Sequence, residues 1–282
     1  MVRHLLSVFP DAHKATLSRG YGRKTTGFRE VLSTSTAREV GDEPLLFPRS
    51  GVRSFVCENR VVGWEKIREQ MPEVELLVLD DVFQHRAMRP HRMILLTTFD
   101  EPFTADFMLP SGRLREGRSG AQRADVVVVT KCPRKMSTGQ QDQLARQINK
   151  YTKAPVFFAH EHYGQPYDLW TGQPILTLPK QALGVAGLAK PLYFQRFLAK
   201  QIQDLSFKSF PDHYSYHLDD IEGCFQLNYP VIITEKDAVK WKQFTQFSNK
   251  YVIVWPIQLK LTNQNEFDSL LLQWYAEYVP HS

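Results

Sequence analysis

The chain has 282 residues, and its 35 Lys and Arg against 30 Asp and Glu give a formal net charge of +5. Hydrophobic residues at 43% and charged residues at 23% are the balance of an ordinary globular protein, which excludes an intrinsically disordered chain. No apolar run approaches the ~18 residues of a membrane-spanning helix, and no signal-peptide core follows Met1. The odd number of cysteines, 3, argues against a disulfide framework and for a reducing compartment.

Continuous apolar segments, typical of strands buried on both faces of a parallel sheet, alternate with helical segments in the first part of the chain. The predicted strands are Ala15–Ser18, Arg53–Cys57, Leu76–Leu79, Met93–Leu96, Asp125–Thr130 and Pro155–Ala159. The predicted helices are Thr36–Glu39 with capping-box spacing, Asn59–Met71 before Pro72, and Thr138–Thr152. This alternation predicts an α/β, doubly wound, mostly parallel sheet over residues 1–162.

Two turn signals, at 163–166 and 171–174, then interrupt the pattern and predict a linker or short β-ribbon over 163–180. The alternation resumes over 181–282, and because single cores usually stop growing at about 250–300 residues, we expect a second, smaller α/β domain there. Its predicted elements are the strands Ala182–Ala186, Val231–Ile233 and Tyr251–Val254 and the helices Tyr193–Gln203 and Glu266–Tyr278.

Two pairs of adjacent carboxylates are candidate functional residues. One pair follows a predicted strand, and the other lies at a possible helix start. Asp80 and Asp81 end an apolar strand, the position at which nucleotide-dependent phosphotransferases hold Mg²⁺, although many strands end in Asp for turn chemistry. Asp42 and Glu43 precede Pro44, and such a pair either caps a helix or binds a metal or takes a proton. Two interpretations of these segments stay open: metal or acid–base chemistry, or a purely structural role in a turn and a helix cap.

Basic residues are concentrated in two segments. Between residues 85 and 123 there are seven arginines and no lysine, which indicates either phosphate recognition or a solvated loop. In the segment 18–24, Arg19, Arg23 and Lys24 could meet phosphates and Tyr21 a sugar or lipid, although a flexible basic loop fits equally well.

Three further segments have simpler interpretations. His213 follows Asp212, which places an imidazole beside a carboxylate, but a lone histidine is more often structural. The run 160–162, His-Glu-His, is not accompanied by a third candidate metal ligand at a suitable spacing, so we interpret it as structural. Thr234 and Asp237 have the spacing of a helix cap.

A phosphate-binding loop of the form G-x-x-x-x-G-K-[ST] does not occur in the sequence. The segment 112–119, GRLREGRS, imitates it, but Arg replaces Lys and the next predicted element is a strand rather than the helix that would hold the anion.

Eight segments together resemble the tetraacyldisaccharide 4'-kinase family, which phosphorylates the lipid A disaccharide precursor of Gram-negative bacteria. They are LSRGYGRK (17–24), EVGDEPLL (39–46), ENRV (58–61), VLDDVFQHR (78–86), LPSGRLRE (109–116), RADVVVVTK (123–131), FPDHYSY (210–216) and TEKDAVK (234–240). They occur in the family's order and cover nearly the whole chain. The resemblance implies a P-loop kinase-type α/β domain, a smaller α/β domain, and an active site in the cleft between them.

The resemblance also implies a reaction and residue roles. Asp42 would accept the proton of the sugar 4'-hydroxyl as it attacks the γ-phosphate of ATP, and His213 would assist it. The other implied site residues are Glu43, Asp80 and Asp81 around Mg²⁺, Gln84 and His85 near the nucleotide and metal, and Arg19, Tyr21, Arg23, Arg60, Arg113 and Arg115 at the phosphates or substrate.

Two departures from the family pattern lead to further expectations. Val82 stands where the family has glycine, and a β-branched residue is costly if that position needs a positive φ. The resemblance places Met1 inside the helix that follows the phosphate loop, so a late start codon or truncation is expected, with weak ATP binding and little turnover.

The implied partner is an acylated disaccharide phosphate lipid. It predicts peripheral contact with the cytoplasmic face of the bacterial inner membrane, or a cytoplasmic position, and leaves the oligomeric state open. A non-catalytic family member that retains only the lipid-phosphate cleft is the alternative. Nucleic-acid binding, suggested only by a pI near 9.0, is not expected, because the arginines adjoin acidic residues rather than form a basic face with stacking aromatics.

Overall fold

The computed structural model describes residues 1–48 and 51–278, and its elements alternate between strands and helices as expected of an α/β protein. The strands are β1 Lys14–Ser18, β2 Arg29–Val31, β3 Arg53–Val56, β4 Leu76–Leu79, β5 Ile94–Thr98, β6 Val126–Thr130, β7 Val156–Tyr163, β8 Tyr167–Asp168, β9 Gln181–Gly187, β10 Asp204–Phe210, β11 Val231–Thr234, β12 Val252–Trp255 and β13 Ile257–Leu261. The helices are α1 Val2–Val8, α2 Ala37–Val40, α3 Arg60–Gln70, α4 Thr138–Ile148, α5 Leu192–Leu198, α6 Leu218–Cys224, α7 Glu235–Trp241 and α8 Gln264–Tyr278. Short 3-10 helices span Pro44–Leu46, Arg118–Arg123 and Thr245–Phe247.

Local sequence signals explain where several helices begin. Thr36 and Glu39 form the predicted capping box of α2, and Ser137 and Gln140 form one on α4. The Asn59 side chain accepts hydrogen bonds from two backbone N–H groups of α3, and that of Thr234 accepts one from the Asp237 N–H in α7. Each cap satisfies amide groups that a helix start leaves without a partner.

Contacts divide the chain into two compact units, each assembled from segments distant in sequence. One unit comprises 13–80 and 163–257; the other comprises 1–12, 81–162 and 258–282. The predicted division into 1–162, 163–180 and 181–282 is contiguous in sequence and stays a prediction.

The unit of 13–80 and 163–257 contains two mostly parallel sheets. One has the strand order β2-β3-β1-β4, in which only the β2–β3 pair is antiparallel. The other has the order β10-β9-β11-β12-β8, in which only the β12–β8 pair is antiparallel. The central strands are buried on both faces, and β11 and β12 are buried along their whole length.

The other unit contains one sheet with the order β13-β7-β6-β5, in which β5, β6 and β7 pair in parallel. Four successive valines, 126–129, are fully buried in β6, and Val127 and Val129 pack with Leu144 and Ile148 of α4. Phe267 of the terminal helix α8 is also fully buried and contacts Phe157 edge to face. Phe267 and Leu271 thus place one side of that helix in the core.

The structure confirms the predicted α/β class and mostly parallel strand pairing, and it changes several details. Within 163–180, for which a linker or short β-ribbon was predicted, β8 pairs with β12 and Leu169 is only 1% exposed in the core. The strand β10, with alternating apolar residues, was not predicted. Val82 does not adopt a positive φ; its neighbour Asp81 does, at 50°, so the β-branched residue causes no strain of that kind.

Candidate active site

Asp42 lies in the short turn between α2 and the 3-10 helix Pro44–Leu46, and its position depends on the glycine before it. Gly41 ends α2 with φ 90°, and a Cβ there would lie 2.9 Å from the carbonyl oxygen of Tyr21. The turn leaves Asp42 only 5% exposed, with its Oδ1 accepting a hydrogen bond of 3.0 Å from the Glu43 N–H. A buried carboxylate is thus held in one direction by its own backbone.

His213 faces Asp42 from the loop after β10. Its Nδ1 lies 2.9 Å from Oδ1 and 3.1 Å from Oδ2 of Asp42, and its side chain is 25% exposed. The backbone of His213 has φ 55°, an uncommon conformation for this residue type that is seen most often where the surrounding structure imposes it. The Tyr21 ring, 67% exposed, lies 4.9 Å from the imidazole, so the pair has a solvent-facing aromatic neighbour.

Two lysines of α7, absent from the residues predicted from the sequence, border this pair. Lys236 Nζ lies 2.9 Å from Asp212 Oδ1, 3.3 Å from Glu43 Oε1 and 3.3 Å from His213 Nε2. Burial lowers the pKa of Lys236, but the charges of Asp42, Asp212 and Glu43 outweigh it, so the net pKa is raised and the ammonium stays charged.

Lys240, one turn further along α7, is almost completely buried. Its side chain is 4% exposed, and its Nζ lies 3.6 Å from Asp42 Oδ2 and 3.5 Å from Asp237 Oδ1. The sequence signal for both lysines is their spacing of four within TEKDAVK, which puts them on one face of the predicted helix. Only the cap formed by Thr234 and Asp237 was recognised in that segment.

The basic residues predicted at the phosphates have different surroundings. Arg19 and Tyr21 are exposed in the loop after β1. The Arg23 side chain is 3% exposed and is held inside by Glu58 and the Gly27 carbonyl, so it shapes this loop from within. Arg60 is 2% exposed and donates to backbone carbonyls of residues 57, 58 and 80.

The remaining predicted residues lie near strand ends and in long loops. Asp80 directly follows β4, at the carboxyl end of a parallel strand. In the unit that includes 81–162, Asp81 and Gln84 are exposed, while the His85 Nδ1 is buried. Arg113 pairs with Glu101 and Asp106, and Arg115 is exposed. The roles of these residues at metal, nucleotide and phosphate stay predictions.

The family model for tetraacyldisaccharide-1-P 4'-kinase matches residues 1–276. The chain belongs to this kinase family. Within it, the chain is 42% identical over 251 residues to the tetraacyldisaccharide 4'-kinase of Cytophaga hutchinsonii, covering 84% of this chain and 69% of that protein. It is 34% identical to the one of Flavobacterium johnsoniae, covering 98% of this chain and 82% of that protein.

A solved structure shows that the fold of this 4'-kinase family member is shared with a distant relative. The "apo" form of LpxK from Aquifex aeolicus, in complex with ATP, superposes with a TM-score of 0.73 at 24% identity, over 97% of this chain and 82% of that one. In the parts of the chain that the structure describes, no helix is both long and apolar enough to cross a membrane.

A magnesium ion, which kinases of this kind use, fits the carboxylates predicted for it. Within 1–48 and 51–278, no group of three or more His, Cys, Asp or Glu side chains is arranged to hold a metal by itself. Mg²⁺ commonly uses only one or two protein carboxylates and takes its other ligands from water and substrate phosphates. Asp80, at the end of β4, is a suitable oxygen donor of this type.

Proposed function

We propose that this family member transfers the γ-phosphoryl group of ATP to the 4'-hydroxyl of the tetraacyldisaccharide 1-phosphate lipid A precursor, and that the Asp42–His213 pair receives the hydroxyl proton. The observation that supports these residue roles is the partly buried contact between the two side chains, 2.9 Å from Nδ1 to Oδ1. An aspartate in hydrogen-bond contact with histidine is an arrangement suited to proton transfer.

The proposed reaction needs little covalent chemistry from the protein. The 4'-oxygen bonds to the γ-phosphorus, the bond from that phosphorus to the β,γ-bridging oxygen breaks, and ADP leaves with that electron pair. The hydroxyl proton passes to Asp42, whose carboxylate is oriented by His213 and by the Glu43 N–H. The protein otherwise contributes positioning and charge neutralisation.

Several residues around the pair suit the substrates. The exposed Tyr21 ring next to His213 offers an apolar face to a sugar, and Arg19 in the same loop offers a cation to a phosphate. Mg²⁺, held by Asp80 with Glu43 and Asp81 as further candidates, would neutralise phosphate charge when bound. Gln84, His85, Arg60, Arg113 and Arg115 remain proposed nucleotide or phosphate contacts.

The test is transfer of radiolabelled γ-phosphate from ATP to tetraacyldisaccharide 1-phosphate. Asp42→Asn should reduce kcat by about 10²- to 10⁴-fold, the usual contribution of a positioned acid or base. Asp219→Asn, which neutralises an exposed aspartate in the first turn of α6, should leave the rate unchanged. Equal rates for wild type and Asp42→Asn would contradict the assigned role. Lipid binding without any transfer by the wild-type chain would favour the non-catalytic alternative.

Peripheral membrane contact is the second part of the proposal, and an exposed apolar segment supports it. Phe107, Met108 and Leu109 are consecutive and 64%, 47% and 59% exposed, with Arg115 exposed in the same loop region. Consecutive apolar side chains near a cation suit the interface of an anionic bilayer.

Co-sedimentation with vesicles containing anionic phospholipid tests this contact. The triple variant F107S/M108S/L109S should bind vesicles several-fold more weakly than wild type. Leu176→Ser is the control, because that leucine is 88% exposed but has no exposed apolar neighbour in sequence. Unchanged binding of the triple variant would exclude this segment as the contact.

A further inference from the structure

Lys236 and Lys240 lie on one face of α7 and both approach the pair: Lys240 lies near Asp42, and Lys236 lies near His213 and 3.9 Å from Asp42 Oδ2. Residues four apart in an α-helix project from the same side. Lys240 Nζ is 3.6 Å from Asp42 Oδ2, and Lys236 Nζ is 3.3 Å from His213 Nε2. The proposed reaction above gives neither lysine a role.

The charge of Lys240 is held between two carboxylates. A buried ammonium is unfavourable unless opposite charges compensate it, and Asp237 provides one at 3.5 Å. Asp237 is itself fixed, because the Gly187 N–H, the Tyr216 hydroxyl and the Thr234 hydroxyl all donate to it. Within the described residues Lys240 Nζ makes no hydrogen bond; besides Asp237 it lies 5.3 Å from the centre of the Tyr216 ring and presents its charge to Asp42.

This charge completes the surroundings of the Asp42 carboxylate. Oδ1 accepts from the Glu43 N–H at 3.0 Å and lies 2.9 Å from His213 Nδ1, whereas Oδ2 lies 3.1 Å from Nδ1, 3.6 Å from Lys240 Nζ and 3.9 Å from Lys236 Nζ. With a positive or donor group at each oxygen, rotation of the carboxylate would break at least one contact. Lys240 therefore restricts the orientation of the group that is proposed to accept the proton.

Lys236 acts on the other member of the pair. An ammonium group can only donate hydrogen bonds, so the 3.3 Å approach of Lys236 favours a lone pair on Nε2 of His213 and the ring proton on Nδ1, toward Asp42; Asp212 Oδ2, at 3.7 Å, is the other charged group near Nε2. Asp212 accepts from Lys236 at 2.9 Å and keeps the ammonium in place.

We propose that Lys240 and Lys236 are positioning residues, the first holding the Asp42 carboxylate and the second holding His213 with its proton on Nδ1. The consequence for catalysis rests on the proposed function, whereas the contacts themselves can be tested without turnover. Lys→Met is the substitution to use, because methionine is unbranched and similar in length but carries no charge.

Long-range ¹H–¹⁵N NMR of the histidine rings tests the contacts directly, with His213 assigned by its absence in His213→Gln. Wild type should show a proton on Nδ1 in a strongly hydrogen-bonded, downfield position. Lys240→Met should weaken or broaden that signal, because Asp42 is released. Lys236→Met should move the Nε2 resonance instead. Lys242→Met, which removes an exposed lysine at the end of the same helix, should leave both signals in place.

Kinetics tests whether Lys240 acts through Asp42. Lys240→Met should lower kcat about 10-fold or more, with KM for ATP and lipid changed by less than about threefold, the pattern of an interaction that serves the transition state. In the Asp42→Asn background the same substitution should cause no further loss, because the group that it positions is already gone.

The outcomes separate this proposal from the proposed function. A His213 spectrum in Lys240→Met identical to wild type, or an equal loss in the Asp42→Asn background, would overturn the role of Lys240. If the spectra change as expected but Asp42→Asn turns over normally, the contacts stand and the proposed function fails. If Lys240→Met does not fold, Lys240→Arg, which keeps a cation between Asp42 and Asp237, should fold and shift the His213 Nδ1 signal; a folded Lys240→Arg with the wild-type spectrum and kcat would make Lys240 structural only.

Discussion

His213 and Asp42 are separated by 171 positions in the sequence and meet at 2.9 Å. The backbone conformation is uncommon at His213, which has φ 55°, and Asp42 directly follows Gly41, which has φ 90°. Residues held in such conformations persist only when the surrounding structure stabilises them, and they are frequent at functional sites. The backbone on both sides of the contact thus sets the geometry of the pair.

Removal of the imidazole should affect turnover more than binding. His213→Gln keeps a polar side chain but cannot orient Asp42 as the ring does, so we expect kcat to fall on the order of 10- to 100-fold with KM nearly unchanged. Steady-state phosphorylation assays measure both constants. A rise in KM with unchanged kcat would show that His213 contributes only to binding.

The ion pair of Arg23 with Glu58 should make stability depend on pH. Burial raises the pKa of the Glu58 carboxyl, but hydrogen bonds from the backbone and from Arg23 outweigh it, so its folded-state pKa is lowered. The stabilisation is then present above the glutamate pKa of the unfolded chain, about 4.3, and is lost as the pH falls through the folded-state value.

Urea unfolding of wild type and Glu58→Gln over a range of pH measures this effect. The difference in free energy of unfolding should be constant near neutrality and shrink below the ordinary glutamate range. Glu65→Gln, an exposed glutamate on α3, is the matched control. A difference that grew on acidification would contradict the lowered pKa.

The sequence predicted the regular part of the fold well because its signals are local. Apolar runs such as 126–129 define buried strands, and the capping box of Thr36 and Glu39 defines the start of α2. The strand β10 was missed because Asp204–Phe210 alternates apolar with polar residues and lies at the edge of its sheet, so it lacks a continuous apolar run.

The candidate site was harder to predict because its contacts are not local. The pairing of Asp42 with His213 came from the family resemblance, since no spacing in the sequence relates two loops that are 171 positions apart. Lys236 and Lys240 were missed because lysines on a helix normally face solvent. Here α7 packs both lysines against carboxylates. For Arg23 the error was the opposite one. This arginine of a glycine-rich loop was expected to meet phosphates, but its side chain is buried.

Asp237 should be among the residues most important for stability in its unit. Its carboxylate is fully buried, accepts from Gly187, Tyr216 and Thr234, and lies next to Lys240. Burial first, and then the Asp237 charge, raise the pKa of Tyr216 far above its ordinary value, so the phenol remains a donor. Asp237→Ala leaves these donors and a buried ammonium without a partner, which should cost about 3–5 kcal/mol of unfolding free energy.

Urea or thermal unfolding checks this value, with Tyr216→Phe as the comparison. That variant removes a single donor and should cost less, about 1–3 kcal/mol. Equal stability of Asp237→Ala and wild type would show that the network does not support the fold.

Gly41 should affect both the stability of the protein and the position of Asp42. An alanine Cβ would lie 2.9 Å from the Tyr21 carbonyl oxygen and 3.1 Å from the Gly20 carbonyl carbon, backbone atoms that cannot move aside as a flexible side chain would, and φ 90° is unfavourable for any L side chain. Gly41→Ala should therefore lower stability by about 1–3 kcal/mol and reduce kcat, because the strain is relieved by displacing Asp42.

Gly139→Ala is the matched control, since Gly139 lies within α4 with nothing within 4 Å of its Cβ position. It should raise stability by about 0.5–1 kcal/mol. If both variants were equally stable and equally active, the conformation of Gly41 would have no part in placing Asp42.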